Sequence, residues 1–91
     1  MKNVCVISTF QGTLDDAKKL NDEILNQFPG MVEEFDLVEM PYDKEGWTRV
    51  LVIANILDME KMQEAMTAPW VVEWDEKHNN TDEVYALEKM N

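Results

Sequence analysis

Ninety-one residues, 45% of them hydrophobic, suit one domain spanning residues 1–91, which at this size buries roughly 60 to 65% of the surface its unfolded chain exposes. With 19 acidic and 8 basic side chains, the formal net charge is −11, which repels phosphate backbones and anionic lipid surfaces. Nucleic-acid and membrane partners are therefore not expected. The single cysteine, Cys5, excludes an internal disulfide framework and a Cys-rich zinc site, and within VCVI it reads as a buried thiol of a reducing compartment.

The opening residues carry one early Lys and an apolar run shorter than the h-region of a signal peptide, with no small-x-small cleavage site. No run approaches the roughly 18 apolar residues of a membrane span. A cytoplasmic protein is expected.

Residues 3–10, NVCVISTF, place Cys5 and Ile7 on one face and Val4, Val6 and Phe10 on the other, the pattern of a strand buried on both sides. From Thr13 the period changes. Ala17, Leu20, Ile24 and Phe28 form the stripe of an amphipathic helix, which Thr13 and Asp16 cap and Pro29-Gly30 stops. Residues 31–40, MVEEFDLVEM, alternate imperfectly and predict a strand that is bent or lies near an edge. Glu33, Phe35, Leu37 and Glu39 would oppose Val32, Glu34, Asp36, Val38 and Met40.

The turn residues PYDKEG (41–46) lead into WTRVLVIANIL (47–57), the most continuous strand pattern in the chain. Val50, Val52, Ala54 and Ile56 share one face; Arg49, Leu51, Ile53, Asn55 and Leu57 share the other. Asp58 caps a second helix with an apolar stripe of Met59, Met62, Ala65 and Met66. Pro69 lacks an amide hydrogen and pushes Ala68 out of helical geometry, so this helix kinks or restarts there. In the restarted half Val71, Trp74 and His78 share a face. Asn79, Asn80 and Thr81 end it, and EVYALEKM (83–90) reads as a last strand.

The order β-α-β-β-α-β in about 90 residues is the ferredoxin-like α+β arrangement, an antiparallel four-stranded sheet with two helices on one face. The apolar second face of the first and third strands then needs its own cover, and a homodimer joined through the open sheet face supplies one.

The stretch VLVIANILDMEKMQEAMTAPWVVEWDEKH resembles the dimeric α+β barrel superfamily, which includes antibiotic-biosynthesis-type monooxygenases, heme-degrading monooxygenases and stress-responsive barrels. The resemblance implies sheets that close into a barrel across a dimer, with ligands held between a sheet and its helices. Heme-degrading members use an Asn near the end of the first strand and a Trp and a ligating His late in the second helix. Here the strand end reads Ser8-Thr9-Phe10-Gln11 and His78 lies about one turn beyond the ligand position, so heme chemistry does not transfer.

His78 is the natural acid or base candidate, set against a plainer role at a helix C-terminus. Asp75 and His78 could offer two metal ligands, but no second pair completes a set. Trp70 and Trp74 could line an aromatic pocket or serve as packing. Arg49 and Asn55 could place polar groups in an apolar cavity, with Tyr85 as a further lining residue. Glycine-rich phosphate loops, GxSxG, CxxC and HExxH are absent from the sequence. No catalytic set, metal or cofactor is expected. The reading is a homodimer that binds a small apolar or aromatic molecule or serves in interactions, with Arg49, Asn55, Trp74, His78 and Tyr85 as candidate cavity residues. The alternative is a cofactor-independent monooxygenase acting on an aromatic or quinol-like compound, which requires such polar groups to converge on one enclosed space.

Overall fold

The apolar strand NVCVISTF becomes β1 (Val4–Gln11) at the centre of the sheet, in a computed structural model that describes residues 2–88. β3 (Trp47–Ile56) lies antiparallel beside it, from Val4 opposite Ala54 to Gln11 opposite Trp47. β2 (Val32–Met40) adds to the outer edge of β3 and β4 (Thr81–Ala86) to the outer edge of β1, giving the order β2-β3-β1-β4. The two strands with the longest β-branched runs are thus the two central ones, as double burial requires.

α1 (Leu14–Gln27) starts at the expected cap. Thr13 accepts a hydrogen bond from the Asp16 amide while the Asp16 carboxylate accepts one from the Thr13 amide, a complete capping box. α2 (Met59–Thr67) begins after Asp58, whose carboxylate accepts from the Lys61 amide. α3 (Pro69–Lys77) follows after Ala68, whose ψ of 136° is the extended geometry that a following proline imposes. Proline at the first position of α3 gives up only an amide that had no helical partner.

All three helices lie on one face of the sheet, and two apolar clusters fill the space between. Val4, Ala54 and Ile56 pack with Val6, Val32, Phe35, Val52 and Met62, whereas Phe10, Ala17 and Val50 pack with Leu14, Leu37 and Trp74. Phe10 and Val50 are fully enclosed.

Four details depart from the sequence pattern. A β-bulge between Val32 and Glu34 sets Val32 opposite Ile56 and Glu34 opposite Asn55, leaving Glu33 unpaired. This extra residue moves Val32 to the same face as Phe35 and Leu37, where strict alternation would have opposed them. β4 starts at Thr81, two residues before the expected position, because Asn79 adopts the left-handed conformation (φ 51°) and reverses the chain at once. The strand ends at Ala86, and residues 89 and 90 of the expected strand lie outside the described residues. Met59 is exposed, since it occupies the first turn of α2 outside the packed stripe of Met62, Ala65 and Met66. Cys5 is half-buried on the face without helices.

That second face carries Cys5, Ile7, Leu51 and Ile53 in its middle, all half-buried in a single chain. Val38 and Tyr85 flank them, exposed. Among the described residues, no helix is long and apolar enough to cross a membrane.

Candidate functional site

The space between sheet and helices contains two adjoining cavities of about 80 and 70 Å³, which share Val6, Asn21, Ile24, Val52 and Met66 in their walls. They exist because small residues stand where α1 and α3 approach the sheet, Ala17 and Val71 leaving room between the two core clusters. Taken with each other, they approach the roughly 150 Å³ that admits a benzene-sized guest.

Apart from Asn21, the 70 Å³ cavity is lined by apolar side chains, whereas the 80 Å³ one also takes in a polar group formed by Ser8, Asp75, Asn80 and Asp82. Ser8 and Asp82 are cross-strand partners on β1 and β4, and the Ser8 hydroxyl donates to the Asp82 carboxylate at 2.5 Å. Asn80 follows the left-handed Asn79, and its backbone amide returns to the Asp75 carbonyl at 2.9 Å. Its side-chain amide donates to Asp75 and to Asp82, both at 2.9 Å. The opposite assignment of the amide would press a carbonyl oxygen against two carboxylates, so the donor orientation is the favourable one. It leaves Asn80 Oδ1 buried with no hydrogen-bond partner among the described residues, an arrangement that costs roughly 1 to 3 kcal/mol. Burial pushes the Asp75 carboxyl above its usual range, and the nearby Asp82 charge adds to this. The hydrogen bond from Asn80 and the proximity of His78 work the other way.

Trp74 forms the wall beside this polar end. Its ring stacks on His78 with centroids 4.1 Å apart and tilts against Phe10 at 5.2 Å. His78 Nδ1 lies 2.9 Å from the Trp74 carbonyl, which only accepts, so Nδ1 is the donor in this contact. The His78 carbonyl accepts from the Gln11 amide at 2.7 Å, tying the end of α3 to the end of β1. Gly12 must be small at this junction, because a Cβ there would stand 2.8 Å from the Asp16 carboxylate and 3.1 Å from the His78 ring.

No family model matches the sequence, and no curated protein matches it. Solved structures do match. A candidate antibiotic biosynthesis monooxygenase from Caulobacter crescentus superposes with a TM-score of 0.60 at 12% identity over 97% of this chain and 92% of its own. SnoaB, a cofactor-independent oxygenase from Streptomyces nogalater, matches with a TM-score of 0.54 at 13% identity over 99% and 97% of the two chains. The chain has their ferredoxin-like α+β fold. A formyltetrahydrofolate deformylase from Pseudomonas putida shares it too, with a TM-score of 0.60 at 12% identity over 92% of this chain, which spans only 29% of the deformylase. At such identities the likeness is one of fold, and the fold is shared by proteins named for different chemistries.

Within this ferredoxin-like domain the five candidate cavity residues separate. Trp74 lines the sheet-helix cavity, and His78 backs it without entering the wall. Arg49, Asn55 and Tyr85 lie on the opposite face of the sheet. There Arg49 donates to Thr9 at 3.1 Å and stands 3.9 Å from Glu83, Tyr85 donates to Glu83 at 2.6 Å, and Asn55 donates to Glu33 at 3.1 Å. The polar groups that do converge are Ser8, Asp75, Asn80 and Asp82. Asn79-Asn80 carried the available signal, as consecutive asparagines past a helix end favour the left-handed turn that folds a side chain back over the last helical residues.

Proposed function

We propose that this protein is a homodimer that binds a small apolar or aromatic molecule between its sheet and helices. The observation that carries the reading is an apolar, Trp74-walled cavity with a few polar side chains, Ser8, Asp75, Asn80 and Asp82, gathered at one end. The dimer joins through the open sheet face, where Cys5, Ile7, Leu51 and Ile53 form an apolar centre and Arg49, Glu83 and Asp36 supply a charged rim. Such a face on a single chain is a large apolar patch of the kind that association covers. A cytoplasmic location suits the lone free thiol.

The test pairs light scattering with a fragment titration followed by tryptophan fluorescence and by the nuclear magnetic resonance (NMR) signal of the Trp74 indole. A mass of twice the chain and saturable binding of benzene-sized fragments at Trp74 are expected. A monomer, or fragments that leave Trp74 unmoved, would overturn the reading.

A second reading, a cofactor-independent monooxygenase, is favoured by one feature. Asp75 lines an apolar cavity and burial raises its carboxyl above the ordinary value, which strengthens it as a base for a proton of an electron-rich aromatic substrate. Dioxygen would then convert a substrate CH₂ to a carbonyl, with its second oxygen atom leaving as water. Oxygen consumption with an anthrone-like compound, lost in Asp75→Asn, is the expected result; no consumption with any such compound leaves the binding reading alone.

A further inference from the structure

A separate recess lies where β2 turns into β3. It is an open groove of about 380 Å³ with Glu39, Met40, Pro41, Tyr42, Trp47 and Arg49 in its walls, and it shares no residue with the sheet-helix cavities. Small-molecule sites begin at roughly 300 Å³, so the groove has room for a ligand. The loop beside it is tied down. The Gly46 carbonyl accepts from the Gly12 amide at 2.9 Å, the Lys44 carbonyl accepts from the Trp47 amide at 3.0 Å, and the buried Thr48 hydroxyl donates to the Gly12 carbonyl at 2.8 Å.

Two cations meet two aromatic rings here. Arg49, the only arginine of the chain, stands 5.7 Å from the centre of the Tyr42 ring, and Lys44 Nζ stands 4.3 Å from that of Trp47. Arg49 Nε donates to the Thr9 hydroxyl at 3.1 Å, which holds the guanidinium in place, whereas Glu83 lies 3.9 Å from Nη2, beyond hydrogen-bond length. The terminal N–H groups of Arg49 therefore have no acceptor among the described residues. The ion pairs among those residues engage Lys2, Lys19 and Arg49, and leave Lys44 without a carboxylate.

We propose that this groove binds a singly charged aromatic carboxylate, its carboxylate paired with the terminal nitrogens of Arg49 and its ring against Met40, Tyr42 and Trp47. A guanidinium and a carboxylate are both planar and match through two parallel hydrogen bonds. A neutral alcohol leaves the charge of Arg49 unmatched, and an amine meets Arg49 and Lys44 as like charges. A dianion such as a phosphate ester gains the same two cations but adds a second charge beside Glu39 in the wall and Glu83 next to the guanidinium. Arg49 stands on the rim of the open sheet face, outside the apolar centre proposed to join two copies, and the groove is complete within one chain.

The experiment is an NMR titration of the full chain at neutral pH and low salt with benzoate, benzyl alcohol, benzylamine and phenyl phosphate. The indole N–H signals of Trp47 and Trp74 report the groove and the sheet-helix cavity separately. At Trp47, benzoate should bind saturably and about tenfold tighter than benzyl alcohol, and added salt should weaken it. Phenyl phosphate should bind less tightly than benzoate, and benzylamine should leave Trp47 unmoved. Arg49→Gln should remove the preference for benzoate over the alcohol, whereas Tyr42→Ala, a change at an exposed loop position, should weaken both. If Arg49→Gln does not fold, the ranking of the four probes on the parent chain decides. Equal affinity for benzoate and benzyl alcohol at Trp47, tightest binding of phenyl phosphate, or a folded Arg49→Gln that binds benzoate as the parent does overturns the proposal. Benzoate that moves Trp74 and not Trp47 overturns it too, while leaving the sheet-helix reading in place.

Discussion

The two faces of the sheet are made from the same kinds of residue and end in different states. On the helix side Phe10 and Val50 are 0% and 1% exposed, sealed by Ala17, Leu14 and Trp74. On the other side Ile7, Leu51 and Ile53 are as apolar in sequence, yet none of the described helices covers them and they remain half-buried. Hydrophobic alternation thus reports how much surface must leave water, and it is silent on whether the cover comes from the same chain.

Substitutions that treat the faces unequally sharpen this contrast. Phe10→Ala on the sealed side should cost about 3 to 5 kcal/mol in denaturant unfolding, since it opens a hole between β1, Ala17 and Trp74. A loss under 1 kcal/mol would mean that this core is not as closed as described. On the open side, Ile53→Glu should leave the helix-side core intact and shift the proposed dimer to monomer, read as a halved mass in light scattering. A wild-type chain that is already monomeric would break the comparison from its other end.

Smaller effects lie at the helix ends that position the covered side. Thr13→Ala should cost about 1 kcal/mol through loss of the side-chain half of the capping box. The backbone amide of residue 13 survives in that variant, and it is the main cause holding the Asp16 carboxyl below its ordinary value of 3.8. The stability linked to Asp16 is present above that ordinary value and is lost as pH falls through the depressed one, so the acid sensitivity should persist in Thr13→Ala. Abolition of it, measured by melting at stepped pH, would show that the hydroxyl mattered more than the amide.

Asp75 behaves with the opposite sign. Its folded-state pKa is raised above 3.8, so its contribution is fully present below that value and is lost as pH rises through the raised one. Asp75→Asn should therefore change stability by less than about 1 kcal/mol at acid pH and become relatively more stable than the parent toward neutrality. A variant that instead loses ground as pH rises would show that the ionised carboxylate is welcome where it stands.

Much of the local structure was legible in the sequence because it depends on near neighbours. Thr13 with Asp16, Asp58 before Met59, and Pro69 after Ala68 mark helix starts and a break through contacts within a few residues. The period of β3 assigned its two faces correctly, down to Val50 inside and Arg49 outside. The bulge at Glu33 was visible only as imperfect alternation, because which side an extra residue favours depends on the strand beside it.

The site was less legible. Arg49, Asn55 and Tyr85 attract notice as polar or aromatic residues near apolar runs, and the sheet carries them to the face away from the helices. Ser8, Asp75, Asn80 and Asp82 come from β1, α3, the turn after it and β4, and nothing in their spacing foretells that they meet. The sequence by itself determined the order of elements, their caps and the two-sided apolar character of the central strands, since these follow from backbone periodicity and short-range hydrogen bonding. Only the tertiary structure decided which polar groups share a buried space and which one is left without a partner, because pairing across strands and the left-handed turn at Asn79 set distances that span the whole chain.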